Sequence, residues 1–287
     1  MKAVSPLRYP GSKRKLFNYF ERVLAHNNSS PQVLIEPFVG GGSVFINFLY
    51  RHKKSRAIIA DKDELVYSFW KVLFTEPSYL TNFVRKVKVN LETFDKCRYI
   101  SSHPSEFNRK KLAEACLFLN RTSFSGILNN SAGPIGGREQ KSIYKIDCRF
   151  GQENLIKKIE SISNLKKRVV VLPYDWEGTL KYVAEKDKYK NASLLYYLDP
   201  PFYKKADQLY RHHFDSESHK NLRDGLMKLK QPWILSYDRA KEIQNLYSAF
   251  TRINVSMPYS INSPAKRLEK ELIITPLKLP KIRNKNQ

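Results

Sequence analysis

Gln32-Val33-Leu34-Ile35-Glu36-Pro37-Phe38-Val39-Gly40-Gly41-Gly42-Ser43-Val44-Phe45 is the stretch on which the fold turns. A short apolar run passes through a glycine-rich turn into a helical pattern. The first βα unit of a doubly wound α/β sheet begins in this way, because residues without a Cβ let the backbone approach a nucleotide-like ligand at the strand ends. The spacing is not the full G-x-G-x-x-G fingerprint, so taken alone the turn reads equally well as close helix packing. No G-x-x-x-x-G-K-[ST] occurs, which counts against a P-loop nucleotide hydrolase.

Working outward, Arg56–Ala60 (RAIIA), Arg168–Leu172 (RVVVL), Ser193–Leu198 (SLLYYL), Trp233–Ser236 (WILS) and Glu271–Thr275 (ELIIT) are further short runs rich in Ile, Leu and Val. Such runs suit strands buried on both faces, and helical segments between them predict an α/β fold with a largely parallel sheet. The interval from 67 to 167 is too long for one crossover. It is polar, basic and mostly helical in pattern, with a Gly/Asn/Ser-rich stretch at 120–137. The expected organisation is therefore a core split into 1–66 and 168–287, interrupted by an inserted domain at 67–167. The 287 residues are enough for one large α/β domain carrying an insertion.

Fifty-one Lys and Arg against 27 Asp and Glu give a formal net charge of +24, with a sequence pI near 9.8. A field of that sign attracts polyanions, since each cation that neutralises a phosphate releases condensed counterions. Nucleic acid is the leading partner. No apolar run approaches the ~20 residues that span a bilayer, and the basic segment 1–15 lacks the apolar core of a signal peptide, so no membrane association and a cytoplasmic location are expected. Cys97, Cys116 and Cys148 show no Cys-x-x-Cys spacing and read as reduced.

The chemistry concentrates at Leu198-Asp199-Pro200-Pro201-Phe202, where SLLYYL ends. Neither proline can donate to a sheet, so the chain must turn out rigidly at the strand end. There Asp199 and the Pro200 carbonyl are acceptors and Phe202 offers an aromatic face. That set suits a planar heterocycle with an exocyclic amine, whose delocalised lone pair must be brought to bear on an electrophile. The bland alternative is a Pro-Pro kink beside an Asp-capped turn. Asp61 ends RAIIAD about 20 residues past the glycines, where an acid can accept ribose hydroxyls; a helix N-cap is the competing reading there. Arg8-Tyr9-Pro10-Gly11-Ser12-Lys13 alone is only a basic loop.

In the order RYPGSK, EPFVGGGSVF, insertion, DPPF, the chain resembles the Dam-like, D12-class deoxyadenosine N6-methyltransferases, which include restriction-modification methylases. The resemblance implies a Rossmann-like methyltransferase sheet with a mostly helical target-recognition domain, S-adenosylmethionine as methyl donor and double-stranded DNA as substrate. It also implies a possible cognate restriction endonuclease, with monomer as the default state. It assigns Tyr9, Lys13, Glu36, Pro37, Phe38, Gly40 and Gly42 to the methionine part of the cofactor, Asp61 to its ribose and Asp175 to its adenine. Asp199, Pro200, Pro201 and Phe202 become the catalytic motif, with Phe202 where the family more often has Tyr. Asn120-Arg121-Thr122-Ser123-Phe124-Ser125-Gly126 resembles the N-R-x-x-x-x-G segment of the recognition domain. The F-N-V-P-x-G-like hairpin that usually follows has only Ala132–Gly137 as its nearest equivalent, and Arg121, Arg138 and Lys141 are the candidates for DNA contact. Leu235-Ser236-Tyr237-Asp238 resembles the family's late L-S-Y-N/D motif.

The implied reaction is direct transfer to N6 of an extruded adenine stacked on Phe202, with no metal and no covalent intermediate. His212, His213 and His219 follow the catalytic motif and invite a base or zinc reading; a polar loop or helix face is the preferred one. An RNA adenine N6-methyltransferase and a catalytically silent DNA-binding protein on the same scaffold stay open as alternatives. N4-cytosine and protein-glutamine methylation are disfavoured, since those enzymes more often resemble S-P-P-Y and N-P-P-Y.

Overall fold

A computed structural model describes residues 5–8, 13, 16–129, 131–203, 211, 212, 214–258 and 268–281. Helix α1 (Phe17–His26) leads into β1 (Val33–Glu36), α2 (Ser43–Arg51), β2 (Arg56–Ala60) and α3 (Glu64–Thr75). Helices α4 (Pro77–Lys86), α5 (Leu91–Ser102), α6 (Arg109–Thr122) and α7 (Gln152–Ser163) then precede β3 (Val169–Leu172). Helices α8 (Trp176–Ala184) and α9 (Asp187–Lys190) lead to β4 (Leu194–Leu198). The chain continues through α10 (Ser216–Lys228), β5 (Trp233–Asp238), α11 (Lys241–Leu246), β6 (Thr251–Pro258) and β7 (Leu268–Thr275). Side-chain caps set several helix starts: Asp63 accepts from Leu65 N, Asn90 from Thr93 N and Asn108 from Lys111 N, each satisfying an amide with no partner inside its helix.

The strands form one sheet in the order β3-β2-β1-β4-β5-β7-β6. β1 to β5 run parallel, and β7 and β6 close the edge antiparallel. Alternate strand residues separate two cores. On one face Leu34, Ile59, Leu195 and Tyr197 join Phe20, Phe45, Phe48 and Trp70. On the other, Ile35, Ile58, Tyr196 and Leu235 join Trp176, Leu222 and Leu226. The six apolar runs all fall on strands, and β7 begins at Leu268, ahead of its expected start. β6 was not anticipated: it is the edge strand, pairs only with β7, and its Thr-Arg-Ile-Asn sequence is exposed or half-buried instead of apolar throughout.

The helices of the 67–167 interval share the first core. Phe94, Leu112, Leu117 and Ile159 lie in the same buried cluster as Phe45 and Tyr197, and α3, which spans residue 66, packs most extensively on α6. Among the described residues no helix is long and apolar enough to cross a membrane.

Candidate active site

From β1 the chain moves outward through β2 to β3, and from β4 it moves the other way to β5, so the strand order reverses between β1 and β4. Ligands of open α/β sheets sit outside the carboxyl ends of the strands at such a reversal. A cavity lies there. Glu36, Pro37, Phe38, Gly40 and Gly42 line it from the turn after β1, Asp61 from β2 and Asp175 from β3. Asp199 and Pro201 line it after β4, with Lys13 from the N-terminal segment. Of the residues expected around the cofactor, only Tyr9 lies outside the described residues.

The glycine turn is held by its neighbours. Gly42 has φ +65°, and a Cβ there would lie 2.6 Å from Trp70 and would also strike Phe45. Only glycine fits both the left-handed backbone and the space. Trp70 Nε1 donates to Gly40 O at 2.9 Å and Gly40 N to Asp61 Oδ2 at 2.9 Å. Glu36 is buried at 3% exposure and accepts from Phe45 N at 2.9 Å. Burial raises its carboxyl well above the ordinary range, against the pull of that amide.

Asp61 also accepts from Asp63 N at 3.0 Å. Burial, then the neighbouring Asp63 charge, pushes its carboxyl up to about 7, with the Gly40 and Asp63 amides opposing. The helix cap in this segment is Asp63, not Asp61. Arg211 reaches Asp63 Oδ1 at 3.3 Å, tying the chain beyond the catalytic motif to the same rim. Asp175 lines the cavity and caps α8 through Gly178 N at 2.9 Å. Phe38 and Phe214 meet edge to face across 5.7 Å and both line the cavity, providing aromatic surface beside Asp175. Phe214 is a residue that the sequence reading did not single out.

Asp199 sits at the end of β4, a quarter exposed. Its Oδ1 accepts from Ser236 Oγ at 2.8 Å and lies 3.1 Å from Lys13 Nζ. Burial raises this carboxyl, while Lys13 and Ser236 oppose the rise. Tyr203 N donates to Asp238 Oδ1 at 2.8 Å. Ser236 and Asp238, alternate residues of Leu235–Asp238, therefore grip the DPPF turn on both sides. Lys13 Nζ lies 5.4 Å from the Phe202 ring centroid and 2.9 Å from each Glu271 oxygen. Sequence reasoning missed Glu271: it looked like one polar residue at the head of ELIIT, and no local pattern reports a partner 258 residues away.

His219 is 1% exposed, its Nδ1 lies 2.6 Å from Tyr237 Oη, and burial pulls it down to about 4. It packs among Tyr203, Phe214 and Tyr237, a core position and not the polar face expected. His212 Nε2 lies 3.5 Å from Glu64, and His213 is outside the described residues.

The two arms of the loop after α6 are tied together, with Phe124 N donating to Gly133 O and Ile135 N to Thr122 O at 3.0 and 2.8 Å. Asn120 anchors it, accepting from Arg8 N at 2.6 Å and donating to Gly126 O at 3.0 Å. The three expected DNA contacts separate here. Arg138 and Lys141 are exposed, in surface pairs with Asp95 (2.6 Å) and Glu139 (2.8 Å). Arg121 is 9% exposed, and its Nε has no hydrogen-bond partner among the described residues. Burial, then the charges of Arg8 and Arg149, pushes Arg121 down to about 10. In the same loop Phe124 is 61% exposed.

Comparison with known proteins places the chain among DNA methyltransferases. A family model described as D12 class N6 adenine-specific DNA methyltransferase matches residues 9–261. The chain is 26% identical over 213 residues to the Type II methyltransferase M.MjaIII of Methanocaldococcus jannaschii, covering 68% of each protein.

Proposed function

The chain belongs to the D12 class N6 adenine-specific DNA methyltransferase family, and from that premise we propose that it methylates adenine N6 in duplex DNA with S-adenosylmethionine as donor. The observation that carries this reading is the convergence of Asp199, the Gly40–Gly42 turn and Asp61 on one crevice at the strand reversal. The donor set there fits the cofactor. Asp61 is a carboxylate for ribose hydroxyls, Asp175 with Phe38 and Phe214 suits an adenine ring, and the glycine turn with Lys13 borders the remaining space.

When bound, S-adenosylmethionine supplies a methyl group made electrophilic by the sulfonium charge. The protein's part is to orient the amine. Asp199 and the Pro200 carbonyl accept the N6 hydrogens, draw nitrogen towards pyramidal geometry and point its lone pair into the crevice. Ser236 and Lys13 fix the Asp199 carboxylate for that role. Phe202 stacks on the extruded base, losing only the hydroxyl of the family's usual Tyr. As the N6–carbon bond forms, the methyl–sulfur bond would break with its electron pair passing to sulfur, which leaves as a neutral thioether; positive charge reaches N6, and a proton then leaves to water, so no strong base is needed.

Duplex DNA docks on the loop at 120–141 and its surroundings, with Arg121, Arg138 and Lys141 on phosphates. Phe124 has the exposed apolar face to fill a stack from which a base has been rotated. The interval 67–167 is proposed as the recognition unit, though it shares its core with the sheet. The relative named as a Type II methyltransferase supports a restriction-modification setting, with a cognate endonuclease reading the same site and the methylase acting as a monomer.

The test is transfer from labelled S-adenosylmethionine to unmethylated duplex DNA, with an RNA control, followed by nucleoside digestion and mass detection. Labelled N6-methyldeoxyadenosine is expected. Label confined to RNA or cytosine overturns the substrate, and cofactor binding without any transfer favours the silent scaffold.

A further inference from the structure

We infer that Glu271 is a positioning residue for methyl transfer, acting through Lys13 on Asp199; this rests on the methyltransferase reading above. Lys13 Nζ lies between two carboxylates, 3.1 Å from Asp199 Oδ1 and 2.9 Å from each oxygen of Glu271. Lys13 is 2% exposed and Glu271 5%, so the pair is buried, with Lys13 at the cavity wall beside the catalytic carboxylate. The sheet edge creates this contact. β7 runs antiparallel beside β5 and sets Glu271 opposite Asp238, while Ser236 on β5 reaches Asp199 directly. Asp199 is thus held from β5 by a hydroxyl and from β7 through an ammonium.

Sharing the ammonium matters for the chemistry. One cation and two carboxylates leave the trio with a formal charge of −1, so Asp199 keeps acceptor strength for the N6 hydrogens and for the positive charge that develops on N6. With Glu271 removed, the ammonium would shift towards Asp199. A one-to-one contact pair is electrically neutral and would weaken that carboxylate at the moment it is needed. Bidentate contact with Glu271 also fixes the direction from which Lys13 meets both Asp199 and the Phe202 ring, and small errors in such alignment cost rate more than affinity.

A merely structural ion pair would lower stability and leave kcat of the folded enzyme unchanged, so kcat is the quantity followed through a double-mutant cycle. The experiment measures kcat and the KM values for S-adenosylmethionine and duplex DNA in wild type, E271Q, E271D, K13M and K13M/E271Q, with thermal unfolding followed by circular dichroism confirming that each variant is folded. Single-turnover assays with labelled donor extend the range to the slow variants. The expected result is a kcat lower on the order of 10- to 100-fold in E271Q, with both KM values within about threefold. E271D should recover most of the loss. K13M/E271Q should be no slower than K13M, because the ammonium is the link by which Glu271 acts on Asp199. Wild-type kcat in E271Q overturns the inference, and so do losses that multiply across the cycle. A wild type that transfers no methyl to duplex DNA overturns the proposed function and this inference with it, a result distinct from an active wild type with an unimpaired E271Q.

Discussion

The crevice at the strand ends and the loop at 120–149 both carry charge out of full contact with water, but they treat it in opposite ways. In the crevice the central acids have donors from the chain itself: Phe45 N for Glu36, Gly40 N for Asp61, Ser236 and Lys13 for Asp199. In the loop, Arg121 is buried beside two other cations with its Nε unmatched among the described residues. A buried ionised group without a partner is costly, whereas buried charges that remain are normally paired. The crevice is therefore complete in the free protein, while the loop holds a charge whose partner comes from outside the chain. A DNA phosphate is such a partner.

The sharpest way to break this contrast is Asp199→Ala. Lys13 keeps Glu271 as its counter-ion in the variant, so the fold and the cofactor cavity should survive. Methyl transfer should fall by on the order of a thousandfold or more, while DNA and cofactor dissociation constants stay within about threefold. Rapid-quench transfer assays beside calorimetry decide it. Retained activity would remove Asp199 from the mechanism; lost cofactor binding would mean that the crevice depends on Asp199 for its shape.

Asp61 predicts a pH effect of the next size. Its folded carboxyl is raised to about 7, and it must be ionised to accept two ribose hydroxyls. Cofactor affinity should therefore fall as pH drops through about 7, by about tenfold per unit below it. The linkage to stability has the opposite sense. A raised carboxyl holds its proton longer in the folded state, so its contribution makes the free protein less stable as pH rises from the unfolded value near 4 to about 7. Calorimetry from pH 5.5 to 8.5 checks the first effect, and Asp61→Asn should flatten it. A wild-type profile flat over that range would show that Asp61 does not titrate with binding.

Arg121→Met tests the other side of the contrast. Removing a buried cation whose Nε has no partner among the described residues relieves repulsion from Arg8 and Arg149, so the melting temperature should rise. DNA affinity at fixed salt should still drop by about tenfold, the scale of one charge-assisted contact. A variant that is both less stable and unchanged in DNA affinity would make Arg121 a structural residue.

The same contrast explains what could be read from the sequence. The strands were legible because strands buried on both faces must be continuous apolar runs, and β6 escaped because an edge strand need not be. Gly42 and the DPPF turn were legible because backbone geometry and missing amides dictate residue type locally. Asp61 was placed by its distance from the glycines. Glu271 and Phe214 were not legible: each reaches the site through tertiary packing alone. The burial of Arg121 escaped for a similar reason, since an arginine where a helix gives way to a loop reads as surface until the loop is seen held through Asn120 and Gly126 to Arg8.

Arg138 carries the smallest expected effect and sharpens the contrast most finely. Its Nη1 lies 2.6 Å from Asp95 Oδ1, and both side chains are more than half exposed. To meet a phosphate it must give up or share that pair, and an exposed pair is worth only about 0.2–1 kcal/mol. The exchange should nearly cancel, so Arg138→Gln should weaken duplex binding by about two- to fivefold. Its signature lies in the salt dependence: one lost phosphate contact lowers the slope of log affinity against log salt by about 0.9. Fluorescence anisotropy across a salt series reads both quantities. A slope and affinity equal to wild type would take Arg138 off the DNA surface and leave the 120–126 loop as the main grip. A loss as large as that of Arg121→Met would mean that exposed pairs in this region are rebuilt on DNA, and the division between a finished crevice and a waiting loop would have to extend over the whole 120–149 surface.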